Sequence, residues 1–311
     1  MSQSNKTKDL ETPSITVVVS TRNRGDSIVR TVSSILSIDY PDFELRIVDQ
    51  SDNDTTKVSL QPFFDDPRVR YVRSATKGLS AGRNVGIAET KSEFIAFTDD
   101  DCEVPSDWLH QLVAAFNVDS NVGIVFGNLL SGPYDSALGF IPVNVRKEPI
   151  LLKSVRESYL VQGVGACMAL QRGVWQKLGG FDQMLGVGAL FKAGEEVDFA
   201  LRVLRAGYFV FETPNVSVIH HGFRSWEQGR ALIHSYWYGT GAMMVKQLKC
   251  GHWSIIETLF SLAWRWAFGQ SLAVSSFGNH SHKFLRLMSF IEGFITGMFT
   301  SVNRRNGHYV Y

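Results

Sequence analysis

Cysteine is scarce in this chain, with three among 311 residues: Cys102, Cys167 and Cys250. None forms a CxxC and none sits in a Cys/His cluster. Neither a structural zinc site nor a disulfide framework is therefore expected, and a reducing compartment is the plain reading. Net charge is nearly absent too: 31 Lys and Arg face 30 Asp and Glu, a formal +1. That leaves no global basic field and predicts no nucleic-acid partner. No apolar stretch opens the chain. Met1–Thr12 is polar, reads as a flexible tail rather than a secretory signal, and predicts a cytoplasmic location for the folded part. Internal repeats and low-complexity linkers are also missing.

What is present is a globular composition. Hydrophobic residues make up 44%, charged residues 20% and aromatic residues 12%, which excludes a disordered chain, a collagen-like fibre or a small disulfide scaffold. The length suits one large α/β domain with an appendage, or two small domains. Ile15-Thr16-Val17-Val18-Val19 reads as a buried parallel strand. Ile28, Val29, Val32, Ile35 and Leu36 follow at helical spacing. Phe43–Val48 reads as a second strand, ending at Asp49, and Val69–Val72 and Phe94–Phe97 as two more, with helical stretches between them. This alternation predicts an α/β fold with a doubly wound, mostly parallel sheet. Ligands of such sheets bind beyond the C-terminal strand ends. The polar clusters Ser20–Arg24, Asp49–Asp54 and Asp99–Asp101 fall there. Further on, Gly123–Leu130 reads as a strand, Ser131–Lys153 as an irregular loop, and Glu195–Ala206 as a helix. Tyr208–Glu212 and Val216–Ile219 read as two short strands leading to His220.

The charge is uneven along the chain. From Gly222 onward there are 9 Lys/Arg against 3 Asp/Glu, leaving 22 against 27 before it. Trp253–Phe268 and Phe284–Phe299 read as helices with wide apolar faces. Glu292 in the middle of the second would cost about 2.5–3.5 kcal/mol at a bilayer centre. Helices packed on one another, or lying on the inner face of a membrane with Lys and Arg toward anionic lipid, are the preferred readings, and a helical cap, a dimer surface or ordinary core is the alternative. The expected division is a tail over 1–12, a catalytic domain over 13–222 and an amphipathic helical region over 223–311.

Three motifs carry chemistry. Asp99-Asp100-Asp101 concentrates like charge at a strand end. Folding gains nothing from that, whereas Mg²⁺ or Mn²⁺ would offset the repulsion and take phosphate oxygens besides. Gly78-Leu79-Ser80-Ala81-Gly82-Arg83-Asn84-Val85-Gly86 opens a helix with small residues, and Arg83 can meet a phosphate or those acids. Gly194-Glu195-Glu196-Val197-Asp198 opens another helix. There Glu195 and Asp198 share a face by i,i+3 spacing, and an acid cluster at such a point can hold a general base.

These segments, together with Ser20-Thr21-Arg22-Asn23-Arg24 and Gly179-Gly180-Phe181-Asp182, stand in an order and spacing that resemble family 2 glycosyltransferases of the GT-A fold. The resemblance covers about Ser14–Gly222. It implies inverting, metal-dependent transfer of a sugar from a UDP-, dTDP- or GDP-linked donor to a hydroxyl of a glycan or lipid-linked acceptor, as in cell-surface polysaccharide or glycolipid synthesis. By position it implies that Ser20, Arg22 and Arg24 line the nucleotide pocket, that Asp49 accepts from a base edge, and that Arg83 frames the diphosphate. Asp99 would lie near the ribose with Asp100 beside it, and Asp101 would coordinate the metal with Asp99 and His220. The family's Glu-Asp pair is Glu195-Glu196 here, so Glu196 stands where the base is expected, with Glu195 and Asp198 as reserves. The family's usual Pro and aromatic before Asn23 are replaced by Ser20 and Arg22, so a guanidinium would stack on the base. The weighed alternatives are a nucleotidyltransferase, against which the loop after the first strand lacks a Gly-rich pattern, and a catalytically inactive membrane-associated binding module.

Overall fold

The computed structural model describes residues 12–259 and 282–310. The chain begins with β1 (Ile15–Thr21), α1 (Ser27–Leu36), β2 (Phe43–Asp49), α2 (Thr55–Leu60), β3 (Val69–Arg73), α3 (Leu79–Ala88) and β4 (Phe94–Asp99). β1 and β4 are almost wholly buried, β2 and β3 alternate apolar with charged residues, and α1 turns one stripe inward. Val17, Val18 and Val19 are buried on both sheet faces, and Ile28, Val32 and Ile35 dock α1 against the sheet. β1 pairs in parallel with β2 and β4, and β2 with β3. Four C-terminal strand ends therefore open to one side.

The chain continues through β5 (Cys102–Glu103), α4 (Trp108–Phe116), β6 (Val122–Ser131), β7 (Gly139–Phe140), β8 (Ile150–Leu152), β9 (Met168–Gln171), α5 (Arg172–Leu178), α6 (Glu195–Arg205), β10 (Phe209–His220) and β11 (Arg224–Ser225). The main sheet runs β3-β2-β1-β4-β9-β6-β10-β5, with β8 joined to β10. β9 runs antiparallel to both β4 and β6, while β6 and β10 run parallel. The expected mostly parallel α/β sheet is present, closed on its second half by antiparallel strands. The loop expected over Ser131–Lys153 contains β7 and β8. The two strands expected around Pro214 are one strand, β10, whose pairing with β6 shifts between Glu212 and Ser217. Proline has no N–H to give to a ladder, so the strand continues through an irregularity there.

After β11 come α7 (Trp226–Lys249) and α8 (Lys283–Phe299), then the hairpin β12 (Val302–Asn303) and β13 (His308–Tyr309). α7 was not visible as a periodic segment. Its buried positions include Lys246 and Gln247 beside Ala242, Met243 and Met244, so its inner face is not purely apolar. α8 matches the expected Phe284–Phe299 helix. Most of the expected Trp253–Phe268 helix falls outside the described residues. α7 and α8 approach closely because glycines meet across them. A Cβ on Gly293 would sit 1.9 Å from the Tyr238 carbonyl oxygen, and one on Gly241 would sit 2.1 Å from that of Phe290. No helix among the described residues is long and apolar enough to cross a membrane.

The C-terminal helices are tied to the α/β core by charge. Lys246, fully buried, reaches Asp182 Oδ2 at 2.6 Å and Asp198 Oδ1 at 2.7 Å. The Tyr309 N–H donates to Asp182 Oδ2 at 2.9 Å, and its hydroxyl donates to the Ala242 carbonyl at 2.7 Å.

Candidate active site

A cavity of about 740 Å³ lies beyond the C-terminal ends of β1 and β4. The end of β1 supplies Ser20 and the loop after it Arg22 and Arg24. The end of β4 supplies Asp99 and the turn after it Asp100 and Asp101. α3 supplies Arg83, α6 supplies Glu195 and Glu196, and β10 supplies His220. Segments far apart in sequence thus meet because parallel strands place all their outgoing loops on one side.

The acids are not left to repel one another. Arg24 Nε is 3.0 Å from Asp100 Oδ1, and its Nη2 is 3.3 Å from Asp101 Oδ2. Arg83 Nη1 is 3.1 Å from Glu195 Oε1, and its Nη2 is 3.6 Å from Asp99 Oδ1. The Arg83 guanidinium also lies over the Phe97 and Phe181 rings at 5.7 and 5.8 Å. Burial pushes the Asp100 carboxyl up to about 6 against the pull of Arg24. Burial likewise raises Asp99, opposed by Arg83. For Asp101 burial pushes upward, but the hydrogen bond and charge of His220 outweigh it and hold the carboxyl below its ordinary value. Burial and the neighbouring Glu196 push the Glu195 carboxyl well up, against Arg83.

His220 Nε2 is 3.3 Å from Asp101 Oδ1, and its Nδ1 contacts the Pro142 carbonyl at 3.0 Å. A carbonyl at Nδ1 makes that nitrogen a donor, so Nε2 donates to Asp101 while the ring is charged and can turn to a cation only when the ring is neutral. A Cβ on Gly222 would lie 2.4 Å from His220 Nε2 and 2.7 Å from Asp101 Oδ2. The absence of a side chain there keeps space open against both donors. Among the described residues no group of three or more His, Cys, Asp or Glu is disposed to hold a metal by itself. Asp101 and His220 nevertheless fit a hard cation that takes one or two protein ligands and completes its shell with phosphate and water.

Glu196 and Glu195 both line the cavity, but they are held differently. Glu195 is buried against Arg83, whereas Glu196 is partly exposed and accepts from the Gly165 N–H at 3.3 Å. The loop carrying Gly165 is fixed by Glu212, which accepts from the Gln162 and Gly163 N–H groups at 2.7 and 2.9 Å. Gly165 is required for another reason. A Cβ there would fall 2.2 Å from Arg83 Nη2, and Arg83 is only 3% exposed. Gly165→Ala is expected to displace the guanidinium from Glu195 and to destabilise the fold by about 1–3 kcal/mol, the usual range for overpacking. Thermal melts check this; an unchanged midpoint would mean that Arg83 has room to move.

Two expected site residues are placed elsewhere. Asp198 does not share the cavity with Glu195. It is fully buried, with Oδ2 accepting from Arg202 at 3.0 Å and Oδ1 from Gln247 at 2.9 Å and Lys246 at 2.7 Å. Two positions beyond Glu196, and so on the opposite side of α6, it meets Gln247 and Lys246 of α7, so in place of the reserve base expected it is a structural anchor. Asp49 is also fully buried and outside the cavity lining. Its Oδ1 accepts from the Ser51 N–H at 2.8 Å, and Oδ2 from the Tyr71 hydroxyl at 2.7 Å and Arg73 at 3.1 Å. The next residue, Gln50, faces the cavity instead. Arg22 is at the cavity edge but is already paired with Asp52 at 2.8 Å. Ser20 Oγ is buried without a hydrogen-bond partner.

Sequence reasoning missed the far wall. Leu232, Tyr236, Trp237, Thr240, Met243 and Met244 from α7, and Arg286 from α8, line the same cavity. Tyr236 is close enough to the acids that, after burial, the charges of Glu196, Asp99 and Glu195 raise its hydroxyl's pKa.

A family model described as Glycosyl transferase family 2 matches residues 16–174. The chain is 26% identical over 217 residues to the pre-mycofactocin glycosyltransferase of Mycobacterium tuberculosis, covering 66% of this chain and 42% of that protein. It is 32% identical over 121 residues to the GalNAc(5)-diNAcBac-PP-undecaprenol beta-1,3-glucosyltransferase of Campylobacter jejuni, covering 38% of each. It is 27% identical over 250 residues to the O-antigen biosynthesis protein RfbC of Myxococcus xanthus, covering 74% of this chain and 19% of that protein. The chain thus spans less than half the length of these relatives. Among solved structures, a mannosyltransferase from Pyrobaculum calidifontis in complex with GDP-Man and Mn²⁺ superposes with a TM-score of 0.62 at 18% identity, covering 92% of this chain and 87% of that one. TarS 1–349 of S. aureus gives 0.56 at 13% identity, covering 92% and 90%. These two likenesses establish the fold.

Proposed function

The chain belongs to glycosyl transferase family 2, and from that premise we propose that it is an inverting transferase, moving a sugar from a nucleotide-diphospho-sugar to an acceptor hydroxyl in glycan, polysaccharide or glycolipid synthesis. The observation that carries this is one cavity lined by paired arginines and aspartates at the strand ends together with the partly exposed Glu196 carboxylate. Ser20, Arg22, Arg24 and Gln50 would receive the nucleoside, with Asp99 and Asp100 beside it, and Arg83 would keep Asp99 and Glu195 in place. Asp101 and His220 would hold a divalent cation, whose chemistry when bound is neutralisation of the charge growing on the leaving diphosphate. Glu196 takes the proton of the acceptor hydroxyl as its oxygen bonds to the anomeric carbon. The bond from that carbon to the diphosphate breaks on the opposite face, and the electron pair leaves with the diphosphate.

Membrane contact belongs to the same reading. Phe284, Met288, Ile291, Ile295 and Phe299 are exposed along α8. A helix with such a face can lie in a bilayer interface, with Lys283, Arg304 and Arg305 near anionic headgroups.

A thermal-shift panel of UDP, GDP, dTDP and CDP, each with and without Mn²⁺, tests the site. One nucleotide is expected to raise the melting temperature more with Mn²⁺ than without, since a ligand bound to the folded state stabilises it by mass action. Asp101→Ala is expected to remove the Mn²⁺-dependent part and to retain the nucleotide part. No shift with any nucleotide would sink the transferase reading.

A further inference from the structure

A second cavity, of about 330 Å³, lies beside the first. Its wall is made by the start of α1 and by residues 221–224, and it shares Arg24, Asp101 and Arg224 with the larger cavity. Three arginines, Arg24, Arg30 and Arg224, line it together with two aspartates, Asp26 and Asp101. The acids are engaged. Asp101 lies 3.3 Å from both Arg24 and His220, and Asp26 Oδ1 accepts from the Ser59 hydroxyl at 2.6 Å. Two of the cations are not. Arg224 Nη1 donates to the Phe223 carbonyl, and neither Arg30 nor Arg224 forms an ion pair among the described residues.

Thr31 is a second, independent observation. It lies in this wall and is fully buried, yet its Oγ1 has no hydrogen-bond partner. A buried hydroxyl left unpaired is costly. A helical threonine can return its hydroxyl to the carbonyl one turn back, and Thr31 does not. α1 also begins at this wall, and the N-terminal end of a helix carries partial positive charge. Unpaired guanidiniums, a spare hydroxyl and a helix N-terminus together match the oxygens of a phosphate group.

We propose that the second cavity is a site for a free phosphate-type oxyanion, held by Arg30 and Arg224, with the Thr31 hydroxyl donating to it. Arg24 belongs to both cavities, so the anion and Asp101 compete for one guanidinium. Such a site is separate from that of the donor nucleotide and does not depend on the sugar-transfer reading.

The test is calorimetric titration of the full chain with inorganic phosphate and with diphosphate, at low ionic strength where charge is least screened. Both are expected to bind the wild type. Arg30→Gln is expected to lose about tenfold, the scale of one charge-assisted hydrogen bond, and Arg30→Lys to recover part of that loss. Thr31→Val keeps the shape of the side chain and removes the hydroxyl. It is expected to lose about threefold in phosphate affinity, the scale of one neutral donor, with a melting temperature no lower than that of the wild type. Asp101→Asn is expected to bind phosphate at least about twofold more tightly, since it removes a negative charge from the wall and a competitor for Arg24. No phosphate binding by the wild type overturns the proposal. Wild-type affinity in Arg30→Gln or Thr31→Val also overturns it, as does binding no tighter in Asp101→Asn. UDP, GDP, dTDP and CDP separate free phosphate from a nucleotide's own. Whichever binds the wild type is expected to bind Arg30→Gln within about twofold, as for an independent site. Parallel loss of nucleotide and phosphate binding would assign the cavity to the nucleotide and overturn the separate site. If no nucleotide binds the wild type, the transferase reading fails, and the phosphate titrations of the variants still decide this one.

Discussion

Lys246→Met is expected to cost about 3–5 kcal/mol, the range for removing one partner of a buried ion pair. Lys246 has no exposure and stands between Asp182 at 2.6 Å and Asp198 at 2.7 Å. Removing it leaves two carboxylates in a dry interior. Asp182 keeps the N–H groups of Met184 and Tyr309, and Asp198 keeps Arg202 and Gln247. Those contacts were arranged for a site that also held an ammonium. Against a total stability of about 5–15 kcal/mol, such a loss is a large fraction, and the melting temperature should fall by roughly 10 °C. The pH dependence gives a second readout. The Asp198 carboxyl is subject to burial, which raises it, but Lys246 and Arg202 outweigh burial and hold it below its ordinary value. A depressed folded pKa contributes stability that is present above the unfolded value and lost as pH falls through the folded one. The wild type should lose this contribution on acidification below about pH 4, and Lys246→Met should lose less. A drop under about 1 kcal/mol, of the size expected for an exposed pair, would show that Lys246 is not buried as described.

The same network explains what the sequence made legible. β1 and β4 were visible because a parallel strand covered on both faces is a plain apolar run, as in Val17-Val18-Val19, and β2 and β3 because apolar residues alternate with charged ones along them. α1 was visible because Ile28, Val32 and Ile35 repeat at helical spacing. α7 was not, since its buried face mixes Lys246 and Gln247 with methionines, and a charge buried among acids mimics a solvated position in any one-dimensional pattern. β9 has four residues, too few to carry a period. The site followed the same rule. Asp101, Arg83 and Glu196 sit at strand ends and helix starts, where topology alone brings them together. Asp49 and Asp198 sit in equally suggestive motifs, but what they face depends on Tyr71, Arg73, Gln247 and Lys246 arriving from elsewhere. Arg286 had no motif at all. Only the packing of α8 beside α7 brings it to the cavity wall, which three dimensions alone reveal.

Glu196→Gln is expected to lower transfer by about 10²–10⁴-fold, the usual contribution of a positioned general base, while nucleotide binding stays within about twofold of wild type. The amide keeps the size of the carboxylate and can still accept from the Gly165 N–H, as Glu196 does at 3.3 Å. The fold should therefore be undisturbed and the change confined to proton abstraction. Glu195→Gln should behave differently. It weakens the 3.1 Å contact to Arg83, which also stands 3.6 Å from Asp99, so donor affinity and thermal stability should both fall with the rate. The contrast decides between the two glutamates. Loss of rate with intact binding marks the group that meets the acceptor, and loss of both marks the one that holds the donor side together. Asp198 is not a third contender, because its oxygens are taken by Arg202, Gln247 and Lys246 on the far side of α6. Glutamate at 196 reaches one methylene further into the cavity than aspartate would, and Tyr236 of α7 lines the same cavity. Glu196→Asp should therefore retain the base but withdraw it from the acceptor hydroxyl, lowering kcat while leaving donor binding unchanged. Steady-state kinetics with nucleotide titrations on the three variants read this out. Wild-type turnover in Glu196→Gln would transfer the base to Glu195.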